Sequence, residues 1–244
     1  MTVCIAARAS GVVLGIADRM LTSGDVQFEP SAGAKILSFT NSIFLMAAGD
    51  AGLQVQIYNS VSAEVVARIA KAPADWILVR DVVDLYVSHY NEIRKKRAED
   101  AVLRPLYLDQ NSYIANQGAL KERLVSDISR ELLNFAMPNI SAVIAGVDPS
   151  GPHIWQVERG TTYALEATCL DSVGFAAIGS GSRHASSQFM FARHAWNASL
   201  AETLFLSYYA KRKSEVAPGV GQGTDMVSLG PGLGYTSVHQ PDRN

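Results

Sequence analysis

The order in which strand-like and helix-like patterns follow one another restricts the fold more than any other feature of this sequence. The apolar, β-branched runs TVCIAAR and VVLGIAD flank ASG, and AKILSF and SIFLMAA flank TNS, so each pair predicts a hairpin. Helical patterns follow, and then the strand-like runs NISAVIAGVD, PHIWQVER, TYALEAT and GFAAIG, two further helices, TDMVSLG and a short last strand. Because a regular βαβ alternation cannot give this order, we expect an α+β fold with mostly antiparallel sheets. Two sheets stacked face to face, each covered by helices, would accommodate every segment.

The helices are indicated by a change of period after the second hairpin. Asp50 is a predicted N-cap, and apolar residues recur at every fourth position until Pro73 ends the pattern. They are Leu53, Ile57, Val61, Val65 and Ile69. A second helix is expected from near Trp76 to the charged run RKKRAED, and later ones in ALKERLVSDISRELLNF, SRHASSQFMFARHAW and LAETLFLSYYAKRKS.

Length and composition narrow the class of protein. The 244 residues contain no linker-like stretch, so we expect residues 1–244 to form a single domain. A net charge of −2 argues against a nucleic-acid-binding surface. Cys4 and Cys169 are too few for a disulfide framework, which favours the cytoplasm.

The apolar N-terminal segment carries interspersed charges and no basic leader, so we expect no signal peptide. No apolar stretch approaches the roughly 20 residues of a membrane span, so we expect no membrane contact.

Several short motifs carry a resemblance when their order and spacing are considered together. They are Thr2, ADRMLT at 17–22, AK at 34–35, AAGDA at 47–51, VIAGVD at 143–148 and AIGSGS at 177–182. Over nearly the whole chain this arrangement resembles proteasome β-subunits and the bacterial proteasome-like peptidases. The resemblance implies the four-layer αββα sandwich of the N-terminal-nucleophile (Ntn) hydrolases. It also implies a homo-oligomer, either a ring or a helical stack, that acts on peptides or unfolded proteins without a cofactor.

The resemblance assigns a chemical role to each of four residues. Thr2, once Met1 is removed, is expected to attack an amide carbonyl while its own α-amino group accepts the hydroxyl proton. An α-amino group has a reference pKa of about 7.7 to 8.0 and is therefore partly neutral near neutral pH. Lys35 matches the lysine that favours deprotonation of the nucleophile, and Asp18 matches its acidic partner. Ser180, in GSG, matches the serine that hydrogen-bonds near the threonine amine.

Three further positions are implied to contact the substrate. Met46 falls where the family presents a glycine N–H to the oxyanion, and any non-proline N–H could serve. Thr22 falls where the family binds a substrate backbone as an added strand. Leu21, beside it, is assigned to the same binding region.

The sequence departs from the family after the last long helix, in SEVAPGVGQGTDMV. Val220 and Ala217 occupy the positions of a serine and an aspartate that support the threonine amine. Both supports are therefore expected to be lost, and Glu215 could replace them only if the loop is shifted. This departure puts turnover in doubt more than the fold.

Structural explanations exist for each residue, and two other functions remain open. Asp18 could cap a strand end, Lys35 could protect a sheet edge, and Ser180 could turn the chain into a helix. A non-catalytic ring or scaffold subunit would explain the lost supports. An acylase of small amides would be favoured if the pocket near Leu21 and Met46 is closed to peptides.

Other motifs point to no ligand. GVGQG and GPGLG do not lie between a strand and a helix as a dinucleotide-binding loop does. The five histidines lack metal-ligand spacing, so no metal is expected. RKKRAED mixes both signs of charge on a helix and is typical of a solvated face.

Overall fold

The computed structural model describes residues 2–23, 26–31, 35–230 and 236–239, and within them the chain is a mixed α+β structure with antiparallel sheets. In chain order the strands β1 to β12 are Cys4–Ala9, Val12–Asp18, Leu21–Ser23, Val26–Phe28, Ile36–Thr40, Ile43–Gly49, Ile140–Asp148, Gly151–Arg159, Leu165–Cys169, Phe175–Ile178, Thr224–Leu229 and Thr236–His239. The helices α1 to α6 are Ala51–Lys71, Val79–Ala98, Gln110–Asn116, Glu122–Leu133, Ser182–Phe191 and Leu200–Ser214.

The strands form two five-stranded antiparallel sheets and one small hairpin. The first sheet has the order β10-β1-β2-β11-β12, and the second has the order β5-β6-β7-β8-β9. Strands β1 and β2 pair in the predicted first hairpin, and β5 and β6 pair in the predicted second hairpin. Both hairpin predictions are thereby confirmed. The two-stranded β3-β4 hairpin was missed, because three-residue strands are too short to produce a recognisable alternation.

Helices α1 and α2 confirm the two helices expected after the second hairpin, with small differences in burial and in where α2 begins. Asp50 caps α1 through a hydrogen bond from Leu53 N, as predicted. The last residue of the predicted stripe, Ile69, is exposed, whereas the other four are buried. Helix α2 begins at Val79 rather than near Trp76, and the Asp148 side chain accepts the hydrogen bond of its first N–H.

The segment between α2 and β7 is more irregular than the sequence indicated. A π-helical turn, Glu99–Leu103, and a 3-10 turn, Arg104–Leu106, continue directly from α2, and the short helix α3 follows. These turns and α3 were missed, whereas the predicted helix in ALKERLVSDISRELLNF is present as α4. In the part of the chain that is described, no helix combines the length and the apolar character needed to cross a membrane.

Three apolar clusters join these elements. One contains inward-facing side chains of both sheets, such as Cys4 and Ala6 from β1 and Phe44 and Met46 from β6. A second packs α1 and α2 against the other face of the second sheet. A third packs α5 and α6 against β1. Because side chains alternate along a strand, the residues of β1 that share a face with Cys4 point at the second sheet.

Candidate active site

Thr2 lies at the start of the first sheet, where β1 meets the turn between β10 and α5. The residue is only 3% exposed, and by alternation it shares the inward face of β1 with Cys4. Its carbonyl accepts a hydrogen bond from Gly181 N at 3.2 Å. The backbone of Thr2 is therefore fixed against the first sheet while its side chain points towards the second.

Thr2, Asp18 and Lys35 meet through their side chains. The Thr2 hydroxyl donates to Asp18 Oδ1 and accepts a hydrogen bond from Lys35 Nζ. Lys35 Nζ also lies 2.8 Å from Asp18 Oδ1. Asp18 is the last residue of β2, and Lys35 directly precedes β5, so the two hairpins bring together three residues that are far apart in the sequence. The arrangement places a cation in direct contact with the hydroxyl oxygen.

Asp18 is fully buried and its carboxylate oxygens are surrounded by donors. Besides Thr2 and Lys35, Oδ1 accepts from Val3 N at 2.8 Å. The other oxygen, Oδ2, accepts from Met20 N at 3.1 Å and from Gly221 N at 3.0 Å. The five donors fill the roughly four acceptor sites of a carboxylate and fix its orientation. Asp18 therefore does more than cap a strand end, because it holds Lys35, Thr2 and the loop after α6 in one network.

Ser180 contacts the backbone nitrogen of Thr2. Thr2 N donates to Ser180 Oγ at 3.2 Å, and the serine hydroxyl can donate to the carbonyl of Thr2 at 3.3 Å or of Pro218 at 3.2 Å. The residue before it, Gly179, has φ +90°, and a Cβ there would lie 2.3 Å from Thr2 O. Glycine is thus required at this position both by its backbone angle and by the close approach of Thr2.

A cleft of about 480 Å³ opens beside Thr2, between corresponding ends of the two sheets. On the side of the first sheet, the lining includes Gly179 and Ser180 in the turn after β10 and Ser182 at the start of α5. Its lining on the second sheet comes from the end of β6, the start of β7 and the end of β8, and includes Gly49, Ser141 and Glu158. Most of the lining side chains are polar, so the cleft suits a polar ligand or a peptide backbone.

The structure corrects the assignment of the oxyanion donor to Met46. Its side chain is fully buried between the sheets, and it is not part of the cleft lining. Asp50 N donates to Asn139 O at 3.2 Å, and since the register of β6 with β7 has no shift, alternation directs the Met46 N–H at its partner Val143. Gly49, by contrast, directs its N–H away from β7 and lines the cleft with Thr2. Gly49 therefore replaces Met46 as the candidate donor.

Leu21 and Thr22 lie in β3, which pairs only with β4 in the described part of the chain. Neither residue contributes to the lining of the cleft. Thr22 Oγ1 is buried and has no hydrogen-bond partner among the residues described. Their assignment as substrate-binding residues stays a prediction.

The loop after α6 shows what stands in place of the two expected supports. Ala217 and Val220 are buried in the apolar cluster that joins α5 and α6 to β1. The idea that Glu215 replaces the missing aspartate is wrong, because its carboxylate binds Lys211 Nζ at 2.7 Å and Arg212 Nη1 at 3.0 Å. In this loop it is instead the Gly221 N–H, which donates to Asp18, and the Pro218 carbonyl, which can accept from Ser180, that contact the site.

Lys211 was not predicted as part of the site, although its spacing from Glu215 is that of a helical ion pair. Its side chain is fully buried, and Nζ also donates to the Gln222 carbonyl at 2.7 Å. Burial lowers the pKa of Lys211, while the adjacent Glu215 carboxylate opposes this shift. Lys211 therefore holds the loop residue next to Gly221 and, through it, the loop that donates to Asp18.

Cys4 is buried beneath Thr2, and we expect its thiol to be less reactive than that of Cys169. Its thiol donates to Ala47 O at 3.8 Å, and burial raises its pKa to about 12 although Lys35 acts in the opposite direction. At pH 8 only about one thiol in ten thousand is then a thiolate. Exposed Cys169 also has a pKa raised by burial, but reagents can reach it.

We expect iodoacetamide to alkylate Cys169 in the folded protein and Cys4 only after unfolding in urea. Peptide mapping by mass spectrometry of samples taken with and without urea measures both sites. Fast alkylation of Cys4 in the folded protein would contradict the tight packing beneath Thr2. The same measurement shows whether Cys4 could compete with Thr2 for an electrophile that enters this site.

The metal-ligating side chains and the comparisons with known proteins provide no functional assignment. Among the residues described, no three or more His, Cys, Asp or Glu side chains are grouped so that they could hold a metal ion. No protein-family model matches the chain, and no curated protein matches it. The geometry around Thr2 is therefore the basis for any statement about function.

Proposed function

We propose that this protein is an N-terminal-threonine hydrolase of the proteasome type that cleaves peptide or other amide bonds through an ester on Thr2. The observation that carries the proposal is the contact of the Thr2 hydroxyl with both Lys35 Nζ and Asp18 Oδ1. A purely structural Lys-Asp pair would not need a hydroxyl that contacts both of its partners at the edge of a cleft. The proposed αββα layering is supported by the three apolar clusters, which lie between the sheets and on their helix-bearing faces.

The proposed reaction begins with removal of Met1, which lies outside the described residues. The freed α-amino group of Thr2 stays within hydrogen-bond reach of Ser180 Oγ and accepts the hydroxyl proton. The Lys35 ammonium stabilises the developing alkoxide, and Asp18 holds Lys35 in place. The hydroxyl oxygen attacks the amide carbonyl, the amine returns its proton to the leaving nitrogen, and water then hydrolyses the ester.

The remaining parts of the site have proposed roles in substrate binding. The Gly49 N–H is the candidate donor to the oxyanion. Leu21 and Thr22 are the proposed binding region for a substrate backbone that adds beside β3. Peptides or unfolded proteins are the proposed substrates, and no cofactor is included in the reaction.

A homo-oligomer, a ring or a helical stack, is proposed with this activity. It is supported by large apolar side chains that are exposed around α5 and α6, among them Phe191 at 83% and Phe205 at 71%. Exposed aromatic residues in such a concentration are typical of interaction surfaces. The cytoplasm is the proposed compartment.

The proposal is tested by labelling the purified protein with a threonine-directed electrophile, such as a peptidyl epoxyketone, and mapping the adduct by mass spectrometry. We expect Met1 to be absent and the adduct to be confined to Thr2. Thr2→Ala should abolish labelling, while Thr2→Ser, which keeps a hydroxyl, should retain part of it.

A non-catalytic scaffold of the same fold is the second candidate, and the apolar side chains of Ala217 and Val220 at the support positions favour it. Retained Met1 together with no adduct on Thr2 would establish this candidate and overturn the hydrolase proposal. A small-amide acylase would instead be labelled by small acyl electrophiles but not by peptidyl ones.

A further inference from the structure

The end of β8 contributes two charged residues, Glu158 and Arg159, to the lining of the cleft. Ile154 belongs to the cluster between the sheets, and because side chains alternate, Glu158 lies on the same inward face of β8. The register of Ala142 with Val157 extends to Ser141 and Glu158, which both line the cleft. Glu158 is therefore placed on the wall that faces Thr2.

The charge of Glu158 is not neutralised by the protein around it. Within residues 2–23, 26–31 and 35–230, no ion pair or side-chain hydrogen bond involves its carboxylate, and the side chain is exposed. Its directly opposite neighbour on β9 is Glu166, which brings a second negative charge to the same face. Like charges directly opposite each other on a sheet are unfavourable unless a cation lies nearby.

The cations near the cleft are directed elsewhere. Arg159 follows Glu158 in β8 and so points to the opposite face, where its guanidinium lies 5.2 Å from the centre of the Tyr163 ring. Lys35 is bound to Asp18 and the Thr2 hydroxyl. Arg159 lines the cleft as well, but its charged end is placed over Tyr163 rather than against Glu158.

We propose that Glu158 determines substrate specificity and gives the cleft a preference for a cationic group, such as a lysine or arginine side chain, beside the bond to be cleaved. This inference rests on the proposed function, because it takes Thr2 as the nucleophile. A cationic side chain in the cleft pairs with Glu158 and reduces its repulsion with Glu166. Since the pair lies at an exposed rim, its contribution falls as ionic strength rises.

The test compares three peptidyl epoxyketones that differ only in the side chain next to the reactive group: lysine, norleucine or glutamate. The rate of adduct formation on Thr2, followed by intact-protein mass spectrometry, measures recognition even where turnover is slow. We expect the lysine reagent to react about three- to tenfold faster than the norleucine reagent, the glutamate reagent to be slowest, and the preference to shrink in roughly 0.5 M salt.

Variants at two glutamates separate the effect of Glu158 from the general charge of the protein. Glu158→Gln should remove the preference for lysine, and Glu158→Lys should reverse it in favour of glutamate. Glu166→Gln is the matched control, because it removes the same charge from the same face outside the cleft lining; it should change the lysine-to-norleucine ratio less than twofold.

The outcomes distinguish this inference from the proposed function. Absence of any adduct on Thr2 with all three reagents overturns both. Labelling of Thr2 at equal rates, or a preference for lysine that survives Glu158→Gln, overturns the role of Glu158 and leaves the hydrolase intact. A preference for glutamate that Arg159→Gln removes would assign specificity to Arg159 instead.

Discussion

Lys35→Met is expected to abolish labelling of Thr2 and to destabilise the protein at the same time. The substitution keeps an unbranched side chain of similar length but removes the cation that contacts the Thr2 hydroxyl and lies 2.8 Å from Asp18 Oδ1. Loss of an activating group of this kind lowers the rate by about 10² to 10⁴. Removing one partner of a buried ion pair costs about 3 to 5 kcal/mol, because the other charge is left buried.

The two effects are measured separately, by the rate of epoxyketone adduct formation and by urea unfolding followed by circular dichroism. Lys71→Met, at the exposed end of α1, is the control for the loss of a lysine and should alter neither measurement appreciably. If Lys35→Met is labelled within tenfold of the unmodified protein, Lys35 has no role in activating Thr2. In that case the contact is a structural one.

Gly179→Ala should also destroy the site, and for a steric reason. A Cβ at position 179 would lie 2.3 Å from Thr2 O and 2.7 Å from Thr2 Cγ2, and the φ of +90° is itself unfavourable for alanine. The clash involves both the carbonyl and the side chain of Thr2, so it is expected to displace Thr2 from its hydrogen bond with Gly181 N. We expect labelling to fall at least roughly a hundredfold, since small displacements of reacting groups have effects of this size.

The variant Gly11→Ala separates the effect of the backbone strain from the effect of the steric clash. Gly11 has a similar φ of +74°, but a Cβ at this position would meet no atom within 4 Å, so the replacement introduces the backbone strain without the clash. We expect both variants to lose about 1 to 2 kcal/mol through the strain, and Gly179→Ala to lose roughly 1 to 3 kcal/mol more. Equal unfolding free energies and normal labelling of Gly179→Ala would show that Thr2 has room to adjust.

The contacts of the Thr2 backbone nitrogen differ from what the resemblance implies. With Ala217 and Val220 in the apolar cluster, the only predicted support that contacts Thr2 N in the described residues is Ser180. The loop after α6 instead acts on Asp18, through the Gly221 N–H. Lys211 fixes this loop from the buried side of α6 by its bond to the Gln222 carbonyl. The loop is thus connected to the site at two points, through Gly221 to Asp18 and through the Pro218 carbonyl to Ser180, which contacts Thr2 N.

The larger elements could be predicted because each has a local cause. Periodic apolar residues and the Asp50 cap define α1, and the alternating apolar runs on either side of ASG define β1 and β2. The β3-β4 hairpin escaped prediction because its three-residue strands are too short for an alternation to emerge, and α3 escaped because seven residues make only about two helical turns. Met46 was misassigned because spacing along a strand does not show which neighbour receives a given N–H.

The amino-acid sequence alone was enough to establish the succession of the longer strands and helices, and the resemblance carried by its short motifs singled out Thr2, Asp18, Lys35 and Ser180 as candidates. Three features became visible only in the folded chain: Lys35 and Asp18 meet on the Thr2 hydroxyl, Glu215 turns away to Lys211, and Glu158 faces the cleft. Local patterns fix which face of an element is apolar, whereas contacts between residues distant in sequence depend on sheet register and on the path of the loops.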